Sequence, residues 1–174
     1  LSSTLNGNIY EASYTLDDPS VDVTNAQASV TVTDVSGNQT TMEDGATFYV
    51  DTVKPDADIV RVELNGNAIT NQFTQYADGD NLVFEVRFTE EVTNVSRNDF
   101  QINQNGASLT DIDIVSVQPS SYTANAWTVV VAGADLVGHN GVIDLDFVGS
   151  PSIGDFAGNP LVSTVPNSEE SYSV

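Results

Sequence analysis

The sequence predicts an all-β protein: two antiparallel β-sandwich units in tandem, the first of them incomplete. Three observations predict this. Apolar residues recur at period two in one segment after another, and Leu82, Phe84, Val86 and Phe88, interleaved with Val83, Glu85, Arg87 and Thr89, are the clearest case. No segment has helical periodicity. Turn residues punctuate the chain at Asp17-Asp18-Pro19-Ser20, at Asp34-Val35-Ser36-Gly37-Asn38 and at Asp78-Gly79-Asp80.

The two units meet at Val50-Asp51-Thr52-Val53-Lys54-Pro55-Asp56-Ala57-Asp58. Phe48-Tyr49-Val50 ends one apolar strand, and Val60, Val62 and Leu64 begin another. Pro55 holds Lys54 extended and cannot donate to a ladder, so neither a helix nor a central strand runs through this point. The expected units are therefore 1–53 and 54–174.

In chain order, residues 10–16 place Tyr10, Ala12, Tyr14 and Leu16 on one face. Residues 26–33 follow, with Ala26, Ala28, Val30 and Val32 inward and Gln27, Ser29, Thr31 and Thr33 outward. After the turn at 34–38, a third strand covers 47–50. Three strands bury too little to stand alone, so the first unit reads as the last part of a sandwich. The second unit reads as complete, with strands near 60–64, 82–88, 99–103, 109–117, 127–131, 142–148 and 171–174, as an antiparallel sandwich requires.

A weak internal repeat relates the units. Val32-Thr33-Asp34-Val35-Ser36-Gly37-Asn38 parallels Ser152-Ile153-Gly154-Asp155-Phe156-Ala157-Gly158-Asn159 at an offset of about 120 residues. Each copy is followed by a polar stretch and an aromatic strand. Thr33 to Asn38 followed by Val50-Asp51-Thr52-Val53-Lys54-Pro55 resembles the closing part of the bacterial immunoglobulin-like repeats of giant surface adhesins. Phe88-Thr89-Glu90-Glu91-Val92, Asn98-Asp99-Phe100 and Asp155 to Leu161 are similar to the same family. The resemblance implies immunoglobulin-like sandwiches that act as extender or ligand-presenting modules, exported by type I secretion and often made rigid by calcium.

Composition restricts the chemistry. The 174 residues carry 25 acidic and 4 basic side chains, a formal net charge of -21, so nucleic acid and anionic membrane are unsuitable partners. With no cysteine there is neither a disulfide nor a thiolate metal site. No run of apolar residues is long enough to span a membrane. The start, Leu1-Ser2-Ser3, is neither a methionine nor a signal peptide, so the chain is expected to be a piece of a longer one. His139, the only histidine, sits in Gly138-His139-Asn140-Gly141 and reads as a turn residue. No catalytic residues are expected. Trp127 reads as a core residue, although with Tyr122 it flanks a loop that could stack on a sugar.

Acidic side chains carry the candidate site. Alternating strands bring the unit's start, its second-to-third loop and its sixth-to-seventh loop to one end. That end of the second unit collects Asp51, Asp56 and Asp58, Glu90 and Glu91, and Asp155 with Asn159. Asp17 and Asp18 face the same joint from the first unit, and Asp34 is the counterpart of Asp155. Calcium takes roughly six to eight oxygens from scattered segments, and it would relieve the repulsion within such a cluster. A second group, Asp78, Asp80 and Asp135, falls at the far end. Asp111 with Asp113, and Asp144 with Asp146, read as solvent-facing charge. No helical EF-hand loop is present.

The expected function is that of a calcium-stiffened extender module of a bacterial cell-surface adhesin, extracellular and not an enzyme. It would contact neighbouring repeats of the same protein and position a region that binds a host or biofilm glycan or protein. The alternative is a module of the same adhesin that itself binds sugar or peptide, with an accessory domain of an extracellular hydrolase behind both.

Overall fold

A computed structural model describes residues 2–6, 9–13, 15–17, 20–43, 45–63, 69, 81–105 and 109–173, with the backbone alone for 2–6 and 9–12. The chain divides into two compact units, Leu1–Val53 and Lys54–Val174. Both are built of antiparallel strands, with two single-turn 3-10 helices, Arg97–Asp99 and Ala134–Leu136, in the second. Among the described residues no helix is long and apolar enough to cross a membrane.

The first unit contains β1 (Ser2–Asn6), β2 (Ile9–Ser13), β3 (Asp22–Ala26), β4 (Ser29–Thr33), β5 (Gln39–Glu43) and β6 (Phe48–Asp51). They pair as three two-stranded ribbons, β1–β2, β3–β6 and β4–β5. The strand expected over 26–33 is thus two strands, β3 and β4, parted at Gln27-Ala28, and Tyr14 lies outside the described residues. In the β4–β5 hairpin Val30 faces Met42 and Val32 faces Thr40. Period two therefore gathers Val30, Val32 and Met42 on one face, while Ser29, Thr31, Thr33, Gln39, Thr41 and Glu43 share the other. The expected inward set is not inward. Val30 and Val32 are 52% and 50% exposed, and none of the residues of this unit whose side chains are described, from Ser13 on, is buried. Each strand pairs only with its own mate, and Val30, Val32 and Met42 are all exposed.

The second unit contains β7 (Ala57–Arg61), β8 (Leu82–Phe88), β9 (Val92–Thr93), β10 (Phe100–Asn105), β11 (Asp113–Pro119), β12 (Ala126–Ala132), β13 (Val142–Phe147), β14 (Gly154–Asp155) and β15 (Tyr172–Ser173). One sheet has the order β11-β12-β8-β7, a second β10-β13-β15, and β9 pairs with β14. Both larger sheets contribute to one core. Ile59, Leu82, Phe84, Val86, Val129 and Val131 come from the first, and Phe100, Ile143, Leu145, Phe147 and Tyr172 from the second. Phe84 and Tyr172 meet edge-to-face at 5.0 Å between ring centroids, linking the two sheets. Trp127 packs, partly buried, against this core.

Two sequence readings shift here. The expected phase of the strand at 60–64 put Val60, Val62 and Leu64 together. In β7, Ile59 instead faces Val86 and is fully buried, because its partner on β8 fixes the phase and a one-residue slip reverses both faces. Val62, just past the strand, is buried as well, and Leu64 lies outside the described residues. The second concerns Asp144 and Asp146, expected on an open face. Both are half-buried on β13, and Asp144 Oδ1 is buried with no hydrogen-bond partner.

Candidate functional site

The best-built acidic site lies where β9 and β14 pair, with Asp155 opposite Val92 and Gly154 opposite Thr93. That pairing delivers Asp155 to the loop ending in Glu90 and Glu91. The carboxylate oxygens of Glu90 and Asp155 lie within 4.8 Å of one another, and Asp155 is only 5% exposed.

Asp155 is placed by its own loop. Its Oδ1 accepts the Asn159 N–H at 2.9 Å, and its Oδ2 accepts the Asn159 side-chain amide at 2.8 Å. The Asp155 N–H donates to the Asn159 carbonyl at 3.1 Å, and Gly158 turns the chain at a φ of 92°, which favours glycine. Gly154 allows the return strand close. A Cβ there would stand 2.9 Å from the Asn159 carbonyl oxygen.

Upstream, Asp99 anchors the connection leading into β14. It is 2% exposed. Its Oδ2 accepts the N–H and hydroxyl of Ser96 at 2.7 and 2.8 Å, and its Oδ1 accepts the N–H and hydroxyl of Ser152. Burial alone would raise the Asp99 carboxyl. The bonds from Ser152 and Ser96 outweigh it and hold the group below the usual carboxylate range. Ile153, 1% exposed, then seats the strand in the core.

The other expected ligands are distributed as follows. The Asp56 N–H donates to Thr89 Oγ1 and its carbonyl accepts the Thr89 N–H, both at 3.0 Å, so its backbone adjoins the residue before Glu90. Asp58 is elsewhere: it faces Arg87 across the ladder and its Oδ1 accepts the Ser168 hydroxyl at 2.8 Å. Glu91 is exposed. In the first unit, Asp51 faces Asp22 across β3–β6, and its Oδ1 accepts the Val53 N–H at 3.0 Å. Asp34 accepts the N–H groups of Ser36 and Asn38 and the Asn38 amide at 2.8–2.9 Å, so the Asn38 side chain foremost keeps its carboxyl low. Asp17 is exposed. Asp135 accepts the N–H groups of Asp111 and Thr110, which lower its carboxyl. Asp18, Asp78 and Asp80 lie outside the described residues.

Sequence reasoning missed several buried polar groups. Glu85 is fully buried, yet its oxygens accept Arg87 Nε at 2.7 Å and the hydroxyls of Ser120 and Thr123 at 2.8 and 2.9 Å. His139, read as a turn residue, is 9% exposed, and neither ring nitrogen has a hydrogen-bond partner. The three arginines pair with Glu170, Glu85 and Asp113. Comparison with protein-family models, with curated proteins and with solved structures finds no match for this chain.

Proposed function

We propose that the chain is a structural module of a bacterial surface adhesin, made of immunoglobulin-like sandwiches and stiffened by calcium held at the Glu90–Asp155 end of the second unit. The observation that carries the reading is this carboxylate pair, one member almost fully buried, in a chain of net charge -21. Two adjacent carboxylates repel, and a hard divalent cation offsets that repulsion while accepting further oxygens from backbone carbonyls and water. The two Asp56–Thr89 hydrogen bonds, one of them to the Thr89 hydroxyl, hold the start of the unit beside this end, so an ion there would brace the point where the chain enters. The absence of cysteine is consistent with ions rather than disulfides as the staple. Its partners would be neighbouring repeats, outside the cell and at its surface.

Calcium that binds only the folded state stabilises by RT ln(1 + [L]/Kd), about 2.7 kcal/mol at a hundredfold excess over Kd. Melting in millimolar calcium should therefore run several degrees above melting in EDTA, and Glu90→Gln should shrink that gap. Superimposable curves in calcium and EDTA would refute the reading. On glycan and peptide arrays a spacer of this kind binds nothing, whereas a ligand-presenting module gives discrete hits.

A further inference from the structure

The C-terminal segment straps the two larger sheets of the second unit together. Around Ser168–Glu170 it lies against β7, the edge of one sheet: Ile59 bridges Glu169 in parallel, Ile59 N–H donates to the Ser168 carbonyl and Glu170 N–H to that of Ile59. Three residues on, β15 pairs with β13 at the edge of the other sheet, through Val142–Ser173 and Ile143–Tyr172. That pairing is antiparallel, so the residues before Tyr172 run back toward Asp144 and Asp146. Glu169 lies on that stretch.

Three carboxylates therefore gather on the strap and the strand beside it, with no cation to meet them. Asp144 and Asp146 share one face of β13 by period two. Their neighbours on β10 are Asn103 and Gln101, and only Asn103 reaches across, its amide donating to Asp146 Oδ2 at 3.4 Å. The strap supplies Glu169 and Glu170, and the latter is taken by Arg61. From β7 comes Asp58, which accepts the Ser168 hydroxyl. The other two arginines are committed to Glu85 and Asp113, and Lys54 makes no ion pair among the described residues. Asp144 Oδ1 remains buried and unpartnered.

We propose that Asp144, Asp146 and Glu169 form a proton-operated clasp, loosened by like-charge repulsion at neutral pH and fastened on acidification, which ties the C-terminal strap across both sheets. Burial first, and then the Asp146 charge, push the Asp144 carboxyl above its ordinary 3.8. Burial, Asp144 and Asp146 likewise push Glu169 above 4.5. A carboxyl raised in the folded state takes up its proton before the unfolded chain does, so this contribution to stability grows as pH falls toward those ordinary values. The clasp is independent of the calcium site, since it uses neither Glu90 nor Asp155.

The test is thermal unfolding of the full chain in EDTA from pH 7.5 to 4.5, for the wild type, Asp144→Asn, Glu169→Gln and the exposed control Asp111→Asn. Lowering the pH relieves the general acidic repulsion in all four, so the differences between them carry the information. Asp144→Asn should melt on the order of 3 °C above the wild type at pH 7.5, a gap that narrows as the pH falls. Glu169→Gln should show the same trend at smaller size because Glu169 is more exposed, and the control should parallel the wild type. If both variants melt at or below the wild type at pH 7.5 and keep its pH slope, the clasp is wrong. It is equally overturned if acid leaves the variant gap unchanged while calcium at pH 7.5 stabilises the wild type but not Asp144→Asn, because a cation would then hold the cluster.

Discussion

Loop 34–38 in the first unit and loop 155–159 in the second are the same turn in opposite surroundings. In both, the aspartate Oδ1 accepts the asparagine N–H at 2.9 Å and Oδ2 accepts the asparagine amide at 2.8 Å. In both, the aspartate N–H donates to the asparagine carbonyl, and the glycine sits at a φ of 89° or 92°. Yet Asp155 is buried and Asp34 exposed, and the residue two positions earlier is 1% exposed in Ile153 and 50% in Val32. A short set of residues therefore fixes the turn by local hydrogen bonds and glycine's backbone freedom. What surrounds the turn is fixed by long-range packing, which the five residues do not contain.

Four experiments break or sharpen this comparison. Truncating the core side chain should have the largest effect: Ile153→Ala should destabilise the second unit by about 2–5 kcal/mol, whereas Val32→Ala should leave chemical denaturation of that unit unmoved. Equal losses would mean that Val32 is buried in solution and that the two units unfold as one. Next is the buried carboxylate. In EDTA, Asp155→Ala should cost on the order of 2 kcal/mol by removing the buried acceptor of both Asn159 donors, while Asp34→Ala should not shift the second unit's transition at all.

A third pair should equalise the loops. Gly158→Ala and Gly37→Ala each force an L-residue into the left-handed region, at about 1–2 kcal/mol locally. Amide exchange in each loop should report comparable losses, and a loss confined to Gly158 would show that burial rather than backbone geometry sets the cost. The smallest effect is electrostatic. The Asp34 carboxyl is held below 3.8, chiefly by the Asn38 side chain. The loop's contribution is therefore present above that value and lost as pH falls through the lowered one. Asn38→Ala should move the Asp34 titration, followed by carboxyl NMR, back up toward 3.8.

The all-β class and the longer strands of the second unit were legible because they rest on period-two patterns such as Leu82, Phe84, Val86 and Phe88, whereas the two-residue strands β9 and β14 are too short to show a period. The convergence of Glu90 with Asp155 was legible too, since strand counting places both loops at one end. Glu85 was not, because what covers its outer face is the loop carrying Ser120 and Thr123, distant in sequence. Strand β5 was overlooked because Gln39-Thr40-Thr41-Met42-Glu43 has one apolar residue and declares itself only through pairing with β4. The acidic group on β13 escaped for a similar reason. Alternation puts Asp144 and Asp146 outward, but nothing local reveals that the segment bearing Glu169 leads into β15, which pairs alongside β13.

Trp127, packed on the core of the second unit, is the only tryptophan in the chain, and this makes the protein its own two-channel instrument. Indole emission reports the surroundings of that one core, which belongs to the second unit. Far-ultraviolet dichroism sums the backbone of both units. Coincident unfolding curves from the two signals would mark a single cooperative transition, and a dichroism change that precedes the emission change would isolate the melting of the first unit. The two units can thus be resolved in one cuvette without a label or a truncation.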